Sequence, residues 1–408
     1  MGLKQNTWKL NQWYDQSVAG NATYSGENKL YTWGQNEEGE LGHNNTTDYS
    51  SPKQVGSDTN WGLISRGASP GNFRMSATKT DGTLWAWGGN DYGALGQNQA
   101  PGSLGKVSSP IQIGSDTTWP ISGVGKILCK EHMAAIKTDG TLWLWGENPY
   151  GQLGQGNVVH YSSPVQLGSA SNWKNIGAAQ FASVAIKTNG EMWAWGSNYK
   201  GMLGQNVSGP GSGITGRLSS PVQIPGTTWA AVSKGSVVCA LATKTDGTLW
   251  MWGDNDTNDG AGILGQNNRT DYSSPVQVGS STDWPTDADK ISINKHAAIA
   301  IKTDGTMWSW GSNYHGNLGM DNPNAPAQRS SPIQIPGTTW STIAAGEQHF
   351  IATRTDGSVW TWGINTNGRL GLGNDAAKAS PYQLGSASDW GTPIVAGGRR
   401  SGMAISSK

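Results

Sequence analysis

The sequence predicts an all-β fold, a seven-bladed β-propeller closed by pairing of its N- and C-terminal strands. Three observations carry this. The pair Trp-Gly recurs at Trp33, Trp87, Trp145, Trp195, Trp252, Trp310 and Trp362, at intervals of 54, 58, 50, 57, 58 and 52 residues, and a fixed period of that size marks a repeat architecture. Within each unit the residues alternate around an Asp-Gly turn, as in AIKTDGTLWLWG (135–146), which is the pattern of a β-hairpin. The two chain ends each match one half of that hairpin: SGMAISSK (401–408) matches HMAAIKTD (132–139), and NKLYTWG (28–34) matches GTLWLWG (140–146).

The hairpin is the first element to justify. Thr141, Trp143 and Trp145 fall on one face of its second strand, and Leu142 and Leu144 on the other. Both faces carry bulk, so both must be covered, as in a small sheet stacked between two neighbours. No window shows convincing helical periodicity. After the hairpin each unit carries Gly-x-Leu-Gly, from GELG (39–42) to GRLG (368–371), then a Pro after a serine, then a lone tryptophan: Trp61, Trp119, Trp173, Trp229, Trp284, Trp340 and Trp390. Twenty of the 22 tryptophans therefore follow the period. A ligand platform needs aromatics at chosen places rather than at the same place in every unit, so the paired tryptophans read as structure. The same argument makes fold residues of the turn aspartates (Asp81, Asp139, Asp246, Asp304, Asp356) and of the lysines before them (Lys79, Lys137, Lys187, Lys244, Lys302).

The chain is cut at the tip of one hairpin, so one blade is expected to be built from both ends. Pairing them removes free sheet edges. Residues 28–408 then form a single propeller domain, and residues 1–27 form an N-terminal arm. Counted from the Trp33 unit, the loop between Gly-x-Leu-Gly and Pro is short in the first, third and fifth units. It is longer in the second, fourth and sixth: NQAPGSLGKV (98–107), NVSGPGSGITGRL (206–218) and DNPNAPAQR (321–329). Equivalent loops emerge on one rim, and loops on a rigid scaffold are where function collects.

Composition narrows the function. Lys plus Arg number 28 against 28 for Asp plus Glu, and 14% of residues are charged, so no basic field exists to draw in nucleic acid or an anionic membrane. Gly at 59 and Trp at 22 against Phe at 3 indicates repetition rather than disorder, because disordered chains are poor in aromatics. Cys129 and Cys239 match no metal or redox spacing and are expected to be buried thiols. The first residues have no apolar core of a secretion signal, and Asn6 stands where a myristoylation motif needs Ser or Thr. No apolar run approaches the roughly 18 residues that span a membrane. The expected setting is soluble or within a virion, without membrane insertion.

WGSNYKGMLG (195–204) resembles the repeat of the regulator of chromosome condensation family, and AAGEQHFIATRTDGSVWTWG (344–363) resembles that family's second block. The resemblance covers roughly residues 28–408 and implies a seven-bladed propeller. The eukaryotic founder is a nucleotide exchange factor that also binds chromatin, through a basic N-terminal tail and an inserted wedge. The near-neutral N-terminus here, without a comparable insertion, does not carry that role. The family's histidine stands in register at His132 and His349, with Arg74, Ala182, Cys239 and Ala297 at corresponding positions elsewhere. The Trp-rich units are similar to repeats of bacterial and phage proteins. One secreted bacterial member of that group inhibits β-lactamases through its loop-bearing face, and others are parts of phage particles.

No nucleophile elbow, zinc motif or phosphate loop is present, and no unique cluster of acid, base and nucleophile breaks the repeat. No catalytic, cofactor or metal residue is therefore assigned. Within Asp254–Gly260, Asp254, Asp256 and Asn258 have the spacing of calcium-loop ligands. But Asp259 stands where that loop needs Gly, and Gly265 where it needs Glu. A turn held by Asx hydrogen bonds is expected instead.

The function expected is a non-catalytic structural or protein-interaction propeller, as a virion or bacterial surface component. The alternative is a soluble inhibitory or binding module that uses its loop face, and the third reading is a carbohydrate-active propeller enzyme. Partner-binding residues are sought in the arm. Trp8 and Trp13, with Leu10 and Tyr14, are aromatic and apolar groups that the period does not explain; such groups mark contact sites, here to other proteins and possible virion components.

Overall fold

The computed structural model describes residues 27–407, apart from 66–72, 100–103, 124, 180, 208–215, 234–238, 257–261, 322–327, 386–389 and 392–393. It contains seven four-stranded antiparallel sheets. Each sheet is named below by its Trp-Gly tryptophan. In the Trp87 blade the strands run in chain order: Trp61–Ile64, Arg74–Lys79, Leu84–Gly88 and Val107–Gln112. The hairpin expected from the sequence supplies the second and third strands, and the segment around Ser-Ser-Pro supplies the fourth.

The blade that closes the ring has the order Ile394–Gly397, Ser401–Ser406, Lys29–Gly34, Tyr49–Gln54. Its central pairing joins the two ends of the chain, with Leu30 opposite Ile405 and Gly34 opposite Ser401. The closure expected from the sequence is thus the closure observed. Both strands lie inside a sheet, so neither presents an unpaired edge.

First strands of neighbouring blades pack against one another around the axis. Gly177 and Gly397 mark the tightest places, where a Cβ would clash with Ser233 and with the Ala345–Gly346 backbone. Fourth strands are only partly buried and form the outer rim. Hydrophobic clusters fill the space between adjacent sheets. Leu142 and Leu144, with Leu153 and Leu167 of their own blade, meet Ile176 and Trp195 of the next, and Trp33 and Ala404 of the closing blade meet Ile351 and Val359 of the Trp362 blade.

The second tryptophan of each Trp-x-Trp-Gly is fully buried, and its indole N–H crosses to the preceding blade. Trp87 Nε1 donates to the Glu40 carbonyl at 2.8 Å, Trp145 to Ala94 at 2.9 Å, Trp195 to Gln152 at 2.8 Å, Trp252 to Met202 at 2.9 Å, Trp310 to Ile263 at 2.8 Å and Trp362 to Asn317 at 3.1 Å. Trp33 donates to the Arg369 carbonyl at 3.0 Å and so completes the circle. The acceptor is always the variable residue of Gly-x-Leu-Gly. The last glycine of that element must admit the indole: a Cβ on Gly154, at φ +72°, would press into Leu167 and Trp195.

The first tryptophan of each pair belongs to the turn. Asp139 Oδ1 accepts from the Thr141 N–H at 2.9 Å and from Thr141 Oγ1 at 2.7 Å, and Trp143 Nε1 donates to Thr141 Oγ1 at 2.9 Å. The preceding lysine lies between that ring and the lone tryptophan, with Lys137 Nζ 4.1 Å from the Trp143 centroid and 4.9 Å from Trp119. Lys79, Lys187, Lys244, Lys302 and Arg354 repeat the arrangement. Tryptophan faces carry a negative quadrupole that attracts such cations, so the lysines and aspartates that follow the period are fold residues. Cys129 and Cys239 are free and buried. Among the described residues no helix is long and apolar enough to cross a membrane.

Candidate interaction face

Strands alternate in direction, so each blade sends its first-to-second and third-to-fourth connections to one face. The Asp-Gly turns and the returns to the next blade go to the other. On the first face, here the loop face, an asparagine braces every long connection. Asn36, Asn148 and Asn365 each accept from the N–H of the leucine in Gly-x-Leu-Gly at 2.9 Å. Their amides donate forward to backbone carbonyls, as Asn148 does to Asn157 at 3.2 Å and Val159 at 2.9 Å. The loops are therefore fixed at both ends while their tips vary.

Two sectors of this face carry charged residues that break the repeat. The first is centred on Arg74, which stands where the histidine would be. Its guanidinium is buried. Nε donates to the Gly89 carbonyl at 2.9 Å, and Nη1 to the carbonyls of Lys130 and Glu131 at 3.1 and 3.2 Å, joining the Trp87 and Trp145 blades. Nη2 lies 3.5 Å from the exposed Asp91 carboxylate. Around it a cavity of about 670 Å³ is lined by Glu38, Asp91, Lys106, Glu131 and Glu147. Glu147 is pushed up to about 7, by burial first and by repulsion from Glu131 next, with Arg74 opposing. Burial likewise lowers the enclosed Lys130 to about 8. Behind it His132 is held at about 3 by burial. Ser183 Oγ gives its proton to the Gln152 carbonyl at 2.9 Å, so His132 Nε2–H donates to that hydroxyl at 2.8 Å.

The second sector adjoins the first, on the closing blade and the Trp362 blade. Buried Arg369 donates through Nε to the Thr366 carbonyl at 3.0 Å. His349 beside it is lowered to about 3 by burial and then by Arg369. Arg399 lies 3.5 Å from the Glu347 carboxylate and 4.4 Å from the Phe73 ring centroid, and Arg400 lies 3.5 Å from Gln35 Oε1. The first sector thus holds most of the carboxylates and the second most of the guanidinium groups. The opposite face carries the same Asp-Thr turn in blade after blade.

The site residues expected from the sequence fall differently. Trp8, Leu10, Trp13 and Tyr14 lie outside the described residues. So do the central parts of the three long loops, although Lys106 reaches from the first of them to the Glu37 carbonyl at 2.9 Å. In the calcium-like stretch, Asp254 Oδ1 accepts from the Asp256 N–H at 3.0 Å, the Asx bond expected, and residues 257–260 lie outside the described residues. Nearby, Asp271 is paired with Lys200 at 2.7 Å. Among the described residues no group of three or more His, Cys, Asp and Glu side chains is suited to a metal. Glu131, Glu147, Arg369 and Arg399 were not singled out by sequence. Their signal is a charge where most other units are uncharged, such as Glu147 where Ser197 and Ser312 stand, although Asp254 is charged at the same position.

Known proteins share this architecture. The human E3 ubiquitin-protein ligase HERC2 is 26% identical over 356 residues, which is 87% of this chain and 7% of that protein. The ultraviolet-B receptor UVR8 of Arabidopsis thaliana is 25% identical over 364 residues, 86% of this chain and 76% of the receptor. This chain thus spans a small part of HERC2 and most of UVR8. Among solved structures, human WBSCR16 superposes with a TM-score of 0.76 at 20% identity, covering 93% of this chain and 98% of that one. Prp20p of Saccharomyces cerevisiae superposes with a TM-score of 0.78 at 18% identity, covering 94% and 92%. At those identities the structural likeness bears on the fold alone. The family model for the regulator of chromosome condensation (RCC1) repeat matches residues 27–69, 81–124, 139–186, 304–353 and 356–405. Those segments make up more than half of the sequence, and the chain belongs to the RCC1 repeat family.

Proposed function

We propose that this propeller is a non-catalytic protein-interaction module that engages its partner through the loop face. One observation carries the reading: charged residues that break the repeat gather on neighbouring blades of the loop face, while the other face repeats the same turn. A structural role needs only the repeated part. A surface divided into a carboxylate-rich and a guanidinium-rich sector suits a protein partner of complementary pattern, since such patterns set orientation and exclude wrong partners. The same fold serves such a role elsewhere: yeast RCC1 binds Kap60, Gsp1p and histones. The relatives reported lend no support to a virion setting, and the inhibitory-module reading uses the same face. The aromatic arm, with Trp8, Leu10, Trp13 and Tyr14, is proposed as a second contact.

The test is site-specific photo-crosslinking in the cell that makes the protein. Probes at Tyr92 and Lys106 report on the loop face, and probes at Asp81 and Asp304 on the turn face. A recurrent protein adduct from the first pair, absent from the second, is expected. Adducts from the turn face alone would overturn the reading. Deleting residues 2–24 tests the arm separately: weaker adduct formation at unchanged melting temperature supports a contact, and a collapsed melting temperature assigns the arm to the fold.

A further inference from the structure

Among the described residues, six blades hold a cation between two aromatic rings, and the closing blade holds the rings without one. In the Trp87 blade Lys79 follows Thr78, which pairs with Leu84, while Arg74 pairs with Gly88. In the closing blade Ile405 pairs with Leu30 and Ser401 with Gly34. The residue in the lysine position is therefore Ser406. The flanking rings are kept: Tyr31 takes the place of the first tryptophan, and Trp390 is the lone tryptophan. Their centroids are 5.5 Å apart at 79°. The rings that bracket Lys137, Lys244 and Arg354 stand at 6.4 Å and 76°, 6.1 Å and 75°, and 6.0 Å and 77°. Lys29 on the neighbouring strand is ion-paired with Glu27.

A groove opens beside the two rings. The groove beside Tyr31, Trp390 and Ser406 encloses about 660 Å³. The equivalent grooves that contain Lys187 and Lys137 enclose about 480 and 460 Å³. Leu372, Pro52 and Tyr382 continue the wall outward, and Tyr382 is 53% exposed, so the slot opens on the rim. Apolar walls suit an aliphatic stem, and the ring faces suit an ammonium head.

We propose that this slot binds a primary alkylammonium group on an unbranched stem, the chemistry of a lysine side chain, delivered from outside the chain. The six internal lysine and arginine stacks are the template for the complex. Two sources share the chemistry, a free amine and a lysine within another polypeptide. The site is separate from the loop face and stands whether or not that face binds a partner.

The experiment measures binding of three probes by ligand-observed NMR: n-butylammonium, the peptide Gly-Gly-Lys-Gly-Gly and its norleucine counterpart. Proteins are the full chain, Ser406→Lys and Lys408→Ala. The full chain should bind the lysine peptide at least about tenfold more tightly than the norleucine peptide, because only the first carries the cation. Ser406→Lys should fill the slot as the other blades do, weakening binding at least about tenfold without lowering the melting temperature. Tighter binding of the peptide than of n-butylammonium identifies a polypeptide lysine as the ligand, and equal binding a free amine; both support the slot. Equal binding of lysine and norleucine peptides overturns it, as does undiminished binding to Ser406→Lys. Absence of binding in every variant overturns it as well. Binding that emerges only in Lys408→Ala would assign the slot to the chain's own Lys408 and overturn an external ligand.

Discussion

At the residue scale, the tryptophans divide by what their N–H groups touch. The second of each pair spans two blades, so its loss removes both a buried ring and an inter-blade hydrogen bond. Trp195→Ala should cost about 3–5 kcal/mol. Trp195→Phe keeps most of the bulk but removes the inter-blade bond, leaving the Gln152 carbonyl with Ser183 Oγ alone as donor, and should cost about 1–3 kcal/mol. Urea midpoints of the two variants check the order, and a variant as stable as the parent would return the motif to a binding role. Both charged sectors carry pH dependence. Glu147 binds its proton up to about 7 in the folded chain, against 4.5 when unfolded. The folded state therefore holds more protons between those values, and its stability falls as pH rises through that window. His132 and His349, lowered to about 3, act in the opposite sense and cost stability as pH falls below 6.5. Glu147→Gln leaves the histidines in place, so its difference from the parent isolates the carboxyl. The variant should gain on the parent between pH 5 and 8, by about 1–2 kcal/mol once solvent screening of this half-buried group is discounted. A difference that does not change with pH would remove Glu147 from the account.

At the element scale, the hairpins were legible because their signal is local and repeated: paired tryptophans and an Asp-Gly or Asn-Gly turn each return six times. The closing pair was legible for the same reason, since each end carries half of a pattern seen intact elsewhere. First strands were harder. Ile127–Cys129 and Ile291–Ile293 are three residues each, too short for periodicity to register, and are recognised only once their neighbours are paired. Arg74, Glu131 and Glu147 were not legible as a site. They are single departures from the repeat, separated by up to 73 positions in the sequence, and only the ring brings them to one cavity. The slot at Ser406 needed the register of the closing blade and the rings on either side of it. Deleting residues 396–408 tests the closure at this scale. It removes the strand that separates Lys29–Gly34 from Ile394–Gly397 and exposes the edge of the former. A large fall in melting temperature or loss of solubility is expected in a thermal scan. Cooperative melting within a few degrees of the parent would contradict closure by the chain ends.

At the scale of the whole molecule, the ring makes no distinction between the hairpin that is cut and the six that are intact. Each blade donates one indole N–H to the blade before it, and the donor series closes on itself through Trp33 and Arg369. Stability should then depend on the circle being complete rather than on where the chain begins. A circular permutant tests this. Lys408 is joined directly to Asn28, the pair in register with Asp139-Gly140 and here changed to Asp-Gly, and the chain is opened between Asp304 and Gly305. Every strand is kept, and the cut falls at an exposed turn that the other blades show to be equivalent to the natural one. Opening that turn severs the backbone beside the Asp304–Thr306 hydrogen bonds of 2.9 and 2.7 Å, while joining the ends supplies an equivalent turn at the closing blade. The two changes offset, so the permutant should unfold in one transition with a midpoint within a few degrees of the unpermuted chain lacking residues 1–27. Two transitions, or a midpoint lowered by more than about 10 °C, which for a domain of this size exceeds a few kcal/mol, would show instead that the natural seam carries contacts the other blades lack.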